Sequence, residues 1–358
     1  MASYPTAEEM PDASEVRLLT NLADSRLGAR VLAVSDEWFA KAENLLKSER
    51  SIFIPDKYTE FGKWMDGWES RRHNPDHDWC VIRLAHRGNI TAFNVDSSHF
   101  TGNHAPFVAV DAIDMPTLAD DAWKDGACPS GVEWREVLPK VSIRPGYRKE
   151  DARNGYEDDA EHFFQVSEDL VGQCFTHIRF RIYPDGGIAR LRVLGKVAPD
   201  WSLFKKGDEF DHIAVLNGGR SVWCSDMFFS HMSNLLLPGE GRNMGDGWET
   251  KRSRVPDHTD SVIILLGRPC AELTKCIVDT THFKGNFPES FTLEGAHCAT
   301  EIPSETTQWF SLIERTKLGP NAHHDFPLKR TDEAVTHVRL TIIPDGGVMR
   351  LRLFGKFE

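Results

Sequence analysis

Two short blocks of this sequence carry side chains able to do acid–base chemistry, and each is written twice. The first is Asp66-Gly67-Trp68-Glu69-Ser70-Arg71-Arg72, answered by Asp246, Gly247, Trp248, Glu249, Lys251 and Arg252. A tight glycine loop of this kind can present Glu69 or Glu249 as a proton-transfer group. It can also present Arg71, Arg72 or Arg252 to an anion, because a guanidinium grips a carboxylate through two parallel hydrogen bonds. The structural alternative is a turn in which Trp68 and Trp248 plug a core and the charges pair locally. The second block is Asp96-x-x-His99-Phe100-x-Gly102-Asn103, answered by Asp279, His282 and Asn286. An aspartate that fixes one tautomer of a histidine makes a general base near neutral pH. Aspartate and histidine also bind divalent metals, although two ligands are too few unless His77, His104 or Glu69 joins them. The structural alternative is a capped strand end in which Asp96 and Asn103 bond loop amides.

Arginines form the third constellation. Arg179, Arg181, Arg190 and Arg192 flank the turn Pro184-Asp185-Gly186-Gly187. Arg339, Arg350 and Arg352 flank Pro344-Asp345-Gly346-Gly347, with Thr341 in the fourth place. Side by side on a hairpin, four arginines would repel unless carboxylates of the protein or of a ligand lay among them. Serine and cysteine nucleophile motifs, phosphate loops and dinucleotide fingerprints are absent. His323-His324 occurs in one copy only and reads as a surface pair.

The scaffold that must position these residues is itself duplicated. Residues 176–196 and 336–356 are identical at 13 of 21 aligned positions. Arg30, Ser35-Asp36 and Asn44-Leu45-Leu46 recur as Arg220, Ser225-Asp226 and Asn234-Leu235-Leu236. A repeat this long is far from a solenoid unit and is large enough to be a domain. The expected domains are residues 1–197 and 198–358. Residues 176–183 alternate apolar with polar or basic side chains, the period-two pattern of a half-buried strand, and the alternation resumes after the turn. Further strands are expected at residues 79–84, 90–95, 262–266 and 277–278. One helix or helical turn is expected over residues 36–46, with Ser35 as its cap. Each copy should thus end in a hairpin with an arginine-rich face, and the chain should fold as two tandem all-β sandwiches.

Composition narrows the function. The 358 residues include 42 Lys and Arg against 54 Asp and Glu, a net charge of −12. Such a chain lacks the basic stripe that nucleic acid or an anionic membrane requires, yet one pocket can still be locally positive for a small anion. No apolar run approaches the ~20 residues of a membrane span. Residues 1–16 lack the basic start and apolar middle of a signal peptide. Seven cysteines, an odd number without a Cys-x-x-Cys pair, read as reduced thiols. A cytoplasmic protein is expected.

The combination Trp64-Met65-Asp66-Gly67-Trp68-Glu69-Ser70-Arg71-Arg72, His77-Asp78-Trp79-Cys80 and Asp96-Ser97-Ser98-His99-Phe100-Thr101-Gly102-Asn103-His104 resembles the allantoicase (allantoate amidinohydrolase) family. The Pro-Asp-Gly-Gly-x-x-Arg-Leu-Arg-x-x-Gly ending agrees, and the resemblance covers nearly the whole chain. It implies two jelly-roll domains of the galactose-binding-like kind and hydrolysis of allantoate to (S)-ureidoglycolate and urea in purine degradation. It implies a homo-oligomer, trimer or hexamer, and leaves a divalent metal such as manganese as an option. Allantoate is a carboxylate whose α-carbon bears two ureido groups, and breaking one C–N bond needs an acid for the leaving urea and a base for water or an N–H proton. Joined to that chemistry, Glu69, Asp96 and His99, with Glu249, Asp279 and His282, take the acid–base work. Arg71, Arg72, Arg190 and Arg192, with Arg252, Arg350 and Arg352, become carboxylate clamps. Asn103 and Asn286 hold ureido carbonyls beside Trp68 and Trp248. The rival expectation is a non-catalytic galactose-binding-like module, since one sandwich fold serves both.

Overall fold

The alternation around residue 180 folds as its pattern dictates. In the computed structural model, which describes residues 8–10, 12–123, 133–147 and 160–358, the strand Cys174–Tyr183 buries Ile178, Phe180 and Ile182 and turns Arg179 and Arg181 to the other face. Strands of this kind build two units, Met1–Ala198 and Pro199–Glu358. In the second unit a five-stranded antiparallel sheet runs Arg220–Cys224, Asp260–Cys270, Val335–Ile343, Ser290–Ala296, Phe310–Lys317. A four-stranded sheet runs Glu209–Asp211, Arg350–Lys356, Leu273–Asp279, His323–Pro327. The first unit repeats both orders with one change. Its 19-residue strand Asp78–Asp96 serves both sheets, pairing first with Arg30–Val34 and Cys174–Tyr183, then with Arg190–Val197 and Glu161–Gln165. The two strands expected over residues 79–84 and 90–95 are therefore one strand that changes sheets near Gly88. The core of this jelly-roll sandwich takes Ile82, Val110 and Phe180 from one layer and Val95, Leu191 and Val193 from the other, with Trp68 among them.

The strands flanking Pro-Asp-Gly-Gly do not form the expected hairpin. Cys174–Tyr183 pairs with Asp78–Asp96 and Phe107–Ile113, whereas Arg190–Val197 pairs with Thr20–Asn21 and the far half of Asp78–Asp96. The turn instead carries the chain from one layer to the other. On the way, Gly187 and Ile188 pair with Glu69 and Trp68. The second copy does the same between Val335–Ile343 and Arg350–Lys356. Both glycines of the turn are needed. Gly186 and Gly346 have φ of 127° and 132°, where a side chain is strained. A Cβ on Gly187 would lie 2.0 Å from the Phe100 ring, and on Gly347 1.9 Å from Phe283. The glycine turn and the His-Phe block thus require each other.

The helix or helical turn expected over residues 36–46 is a 3-10 turn confined to Ala42–Leu46, with Met232–Leu236 as its counterpart. Ser35 caps nothing. Its hydroxyl donates to Asp78 at 2.8 Å and accepts the Trp79 amide at 2.9 Å, which fastens the Asp36 loop to the long strand. The buried indoles of Trp68 and Trp248 fasten the same loops, donating to the carbonyls of Asp36 and Asp226 at 2.8 and 2.9 Å.

The arginines after the turn hold the segment that follows the 3-10 turn, whose last carbonyls have no partner within the turn itself. Arg190, 1% exposed, donates to Asp66 Oδ2 at 2.7 Å and to the carbonyls of Glu49, Asp66 and Ala189. Arg192 donates to the carbonyls of Lys47 and Ser48. Arg350 reaches the carbonyls of Asn234, Asp246 and Met349, and Arg352 that of Leu237. Burial pushes the Asp66 carboxyl up, but hydrogen bonds from Lys47 and Arg190 outweigh it and hold the group below the usual carboxylate range. Arg190→Met should therefore lower the unfolding free energy by roughly 3–5 kcal/mol in urea titrations, because it removes one partner of a buried ion pair and the donor to the carbonyls of Glu49, Asp66 and Ala189. The sign of the acid dependence follows from the depressed value. The contribution of Asp66 is complete above its unfolded value near 3.8 and is lost as pH falls through the lower folded value, so Asp66→Asn should flatten the acid limb of a stability–pH curve.

Candidate active site

Glu69 sits on a two-residue strand, Trp68–Glu69, held on both sides. Its backbone pairs with Gly187 on one side and with Ala40 on the other. Strand alternation sends Trp68 into the core and Glu69 to the opposite face. The carboxylate is 8% exposed, and its Oε1 accepts a hydrogen bond from Asn103 Nδ2 at 2.7 Å. Burial raises the Glu69 carboxyl above its ordinary range, and the Asn103 amide and the Arg72 charge only partly oppose the shift. Such a carboxyl keeps its proton to higher pH, the form in which it can serve as an acid. Glu249 repeats the contact, with Asn286 Nδ2 at 2.5 Å. It is half-buried rather than buried and lines a cavity of about 390 Å³ together with Phe228, Phe229, Lys251, Arg252 and Asn286.

The structure does not join aspartate and histidine in the second block. Asp96 Oδ1 accepts the amide of Ser98 at 2.8 Å and also its hydroxyl. His99, at φ 71°, donates from Nε2 to the Ser51 carbonyl at 3.2 Å and stacks on Phe53. In the second copy Asp279 accepts the Thr281 amide at 2.8 Å, while His282, also at φ 71°, donates to the Gly241 carbonyl at 2.8 Å. The geometry is that of capped strand ends. Asn103 and Asn286 are instead brought to Glu69 and Glu249.

The cations also find partners. Arg71 Nε lies 2.6 Å from Asp36, and Arg72 pairs with Asp185 at 3.3 Å. Arg179 and Arg181 share the buried Asp111, each at 2.7 Å, and Arg339 pairs with Glu294 at 2.7 Å. The repulsion posed by the sequence is thus answered by acidic neighbours. Arg190, Arg192, Arg350 and Arg352 are engaged with backbone carbonyls and lie apart from Arg179 and Arg181 in the strand order. Sequence reasoning missed Asp36 and Asp185 as neutralising partners, and missed the Phe228–Phe229 wall. The signals were present, since both aspartates recur and an aromatic pair follows each repeated Ser-Asp, Trp38-Phe39 in one copy and Phe228-Phe229 in the other.

A divalent metal does not fit this donor set. Among the described residues no three His, Cys, Asp or Glu side chains converge. Asp96 is engaged with Ser98 and Glu69 with Asn103, and His77 lies against Tyr183 with ring centroids 4.9 Å apart.

Each copy of the duplicated jelly-roll sandwich thus presents a carboxyl held by an asparagine amide, Glu69 by Asn103 and Glu249 by Asn286. A profile of the allantoicase repeat matches residues 20–198 and 210–358. The chain is 42% identical over 342 residues to a probable allantoicase of Pseudomonas syringae pv. syringae, covering 94% of this chain and 96% of that one. It is 41% identical over 335 residues to an allantoicase of Saccharomyces cerevisiae, covering 92% of each. The crystal structure of Saccharomyces cerevisiae allantoicase matches with a TM-score of 0.79 at 37% identity, over 97% of this chain and 98% of that one. A second allantoicase structure matches at 0.80 and 36%, over 97% and 99%. The chain belongs to the allantoicase family.

Asn103 opposes the effect of burial on Glu69. Asn103→Ala should therefore move the titration of the Glu69 carboxyl carbon resonance to still higher pH, and an unmoved or lowered titration would refute the account of that shift.

Proposed function

We infer that this chain hydrolyses allantoate in purine degradation, cleaving one C–N bond by acid–base catalysis to give (S)-ureidoglycolate and urea. Relatives named allantoicase at 41–42% identity across nearly the full chain support the reaction and favour it over a non-catalytic ligand-binding module. The structural observation that carries the mechanism is the Glu–Asn pair, Glu69–Asn103 and Glu249–Asn286, held alike in both repeats at 2.7 and 2.5 Å.

The chemistry suits one carboxyl better than a chain of nucleophiles. The carboxylic acid protonates the nitrogen of the departing urea. The retained ureido nitrogen supplies its electron pair to the α-carbon and loses its N–H proton, which restores the acid. Water then adds across the C=N bond so formed, hydroxyl to carbon and proton to nitrogen. The asparagine keeps the carboxyl oriented, and a fixed grip on the substrate decides which ureido group leaves and hence the hand of the product. No step here uses a metal.

Further features support the setting. All six described cysteines are free thiols, the state a reducing cytoplasm maintains. Among the described residues no helix is long and apolar enough to cross a membrane. The net charge of −12 argues against nucleic acid as a partner. Trp38 and Phe61 are exposed and pack on each other with ring centroids 4.6 Å apart, an apolar surface of the sort that self-association covers, which agrees with a homo-oligomer, trimer or hexamer. Light scattering on the purified chain measures that state directly.

Replacing the carboxyl in both repeats, Glu69→Gln with Glu249→Gln, should cut urea release from allantoate ~100-fold or more while circular dichroism stays unchanged. A folded double variant with wild-type turnover would remove the Glu–Asn pair from the mechanism. Treatment with a chelator should leave urea release as it was, and a loss restored by manganese would show that metal ligands had been misjudged.

A further inference from the structure

The two repeats set a pair of cations beside the same Glu–Asn pair, but they differ in what already neutralises those cations. In the first repeat Arg71 is 2.6 Å from Asp36 and Arg72 is 3.3 Å from Asp185. The matching acids, Asp226 and Asp345, are present in the second repeat and keep the backbone-amide bonds that Asp36 and Asp185 also make, but among the described residues neither takes a cation there. Asp226 accepts from Lys251 and Phe228 at 2.7 and 3.1 Å, and Asp345 accepts from Ser253 at 2.8 Å. The ammonium of Lys251 instead lies over the Phe228 ring, 5.7 Å from its centroid, and Arg252 donates one N–H to the Gly285 carbonyl at 3.2 Å. Among the described residues neither Lys251 nor Arg252 has an ion-pair partner.

We propose that the cleft of the second repeat takes the substrate's carboxylate, with Lys251 and Arg252 as its anion-binding side chains, and that the matching cations of the first repeat do not. The proposal rests on the reading that a Glu–Asn pair works on a ureido carboxylate, and it names the repeat that binds it. Three properties of the cleft agree. Its volume of about 390 Å³ lies within the range of small-molecule sites, roughly 300–1,000 Å³. Its lining brings together Lys251, Arg252, the Glu249–Asn286 pair and the rings of Phe228 and Phe229. A small carboxylate carrying a ureido group matches that set, its charge on the cations and its N–H groups on Glu249. A neutral sugar leaves the cations unanswered, and a phosphate offers Glu249 no comparable N–H donors. Finally, Glu249 is half-buried where Glu69 is buried, so its carboxylate is open to a ligand in the cleft.

The test uses the full-length chain and calorimetry with hydantoate, a compound of one carboxylate and one ureido group, alongside urea release from allantoate. Lys251→Gln with Arg252→Gln should weaken hydantoate binding by at least about tenfold and raise KM for allantoate more than it lowers kcat. Arg71→Gln with Arg72→Gln should leave hydantoate binding within about twofold. The amide of hydantoate, which has no charge, should bind the wild type no better than hydantoate binds the Lys251/Arg252 variant. Both cation pairs are exposed, and a matched near-ultraviolet spectrum checks each variant's fold. Arg252→Lys, which keeps the charge but not the bidentate grip, should fall between wild type and Arg252→Gln. Loss of binding in the Arg71/Arg72 variant with retention in the Lys251/Arg252 variant would overturn the proposal while leaving the reaction intact. A wild type that binds hydantoate but releases no urea from allantoate would instead overturn the functional reading, and with it the proposal.

Discussion

A guanidinium shut away from water must find its hydrogen bonds inside the protein, and Arg190 organises the first repeat by that requirement. It binds both the carboxylate and the carbonyl of Asp66, together with the carbonyls of Glu49 and Ala189. Asp66 in turn takes Lys47 and the amide of Ile52. One buried ion pair therefore joins the end of the 3-10 turn, the loop through Ser51, the approach to the Trp68–Glu69 strand and the strand that follows the glycine turn. The Ser51 carbonyl that receives His99 belongs to this held loop. The second repeat reaches the same end by a different route. Arg350 relies on carbonyls there, and the carboxylate of Asp246 is taken by Arg242. Desolvating an ion pair is costly, so its value lies less in net stability than in leaving only one arrangement of these segments fully satisfied.

That rigidity is what allows a small change to have a chemical effect. The loop bearing Asp36 is pinned by Trp68 and Ser35, and the loop bearing Asp226 by Trp248 and Ser225. With the carboxylates fixed, a change in the nearby cation changes what that cation reaches. Arginine at position 71 lies over the Trp38 ring and also closes onto Asp36, whereas lysine at position 251 lies over the Phe228 ring without such an ion pair. Duplication supplies the freedom for this divergence, because one copy can keep a closed, self-neutralised surface while the other keeps an open, positively charged one.

The sheet architecture was legible in the sequence because alternation and duplication report directly on burial. Ile178, Phe180 and Ile182 had to face a core, and a block repeated in order had to be a structural unit. The connectivity was less legible. A proline–glycine turn between two alternating segments is the local signature of a hairpin, and nothing within residues 176–197 says that the partners of each segment lie elsewhere. Only the ring of Phe100, distant in sequence, explains the second glycine. The same limit applied to the arginines. Residue type shows that Arg190 can grip a carboxylate, but whether that carboxylate belongs to Asp66 or to a ligand depends on long-range packing. Asn103 was placed at the site from its block alone. Its partner proved to be Glu69, 34 positions away, a pairing that two recurring blocks suggest and spacing cannot demonstrate.

The position of each unit's first and last strands has a mechanical consequence. Thr20–Asn21 lies antiparallel to Arg190–Val197, and Glu209–Asp211 lies antiparallel to Arg350–Lys356. Each of these pairings therefore sets the start of the first strand beside the end of the last. Tension applied between those two points loads the short pairing one hydrogen bond at a time, as a zipper is opened, rather than shearing it. In the first unit the bridge between Glu9 and Phe164 lies ahead of that pairing, so a pull from the N-terminal side meets a further fastening before it reaches Thr20–Asn21.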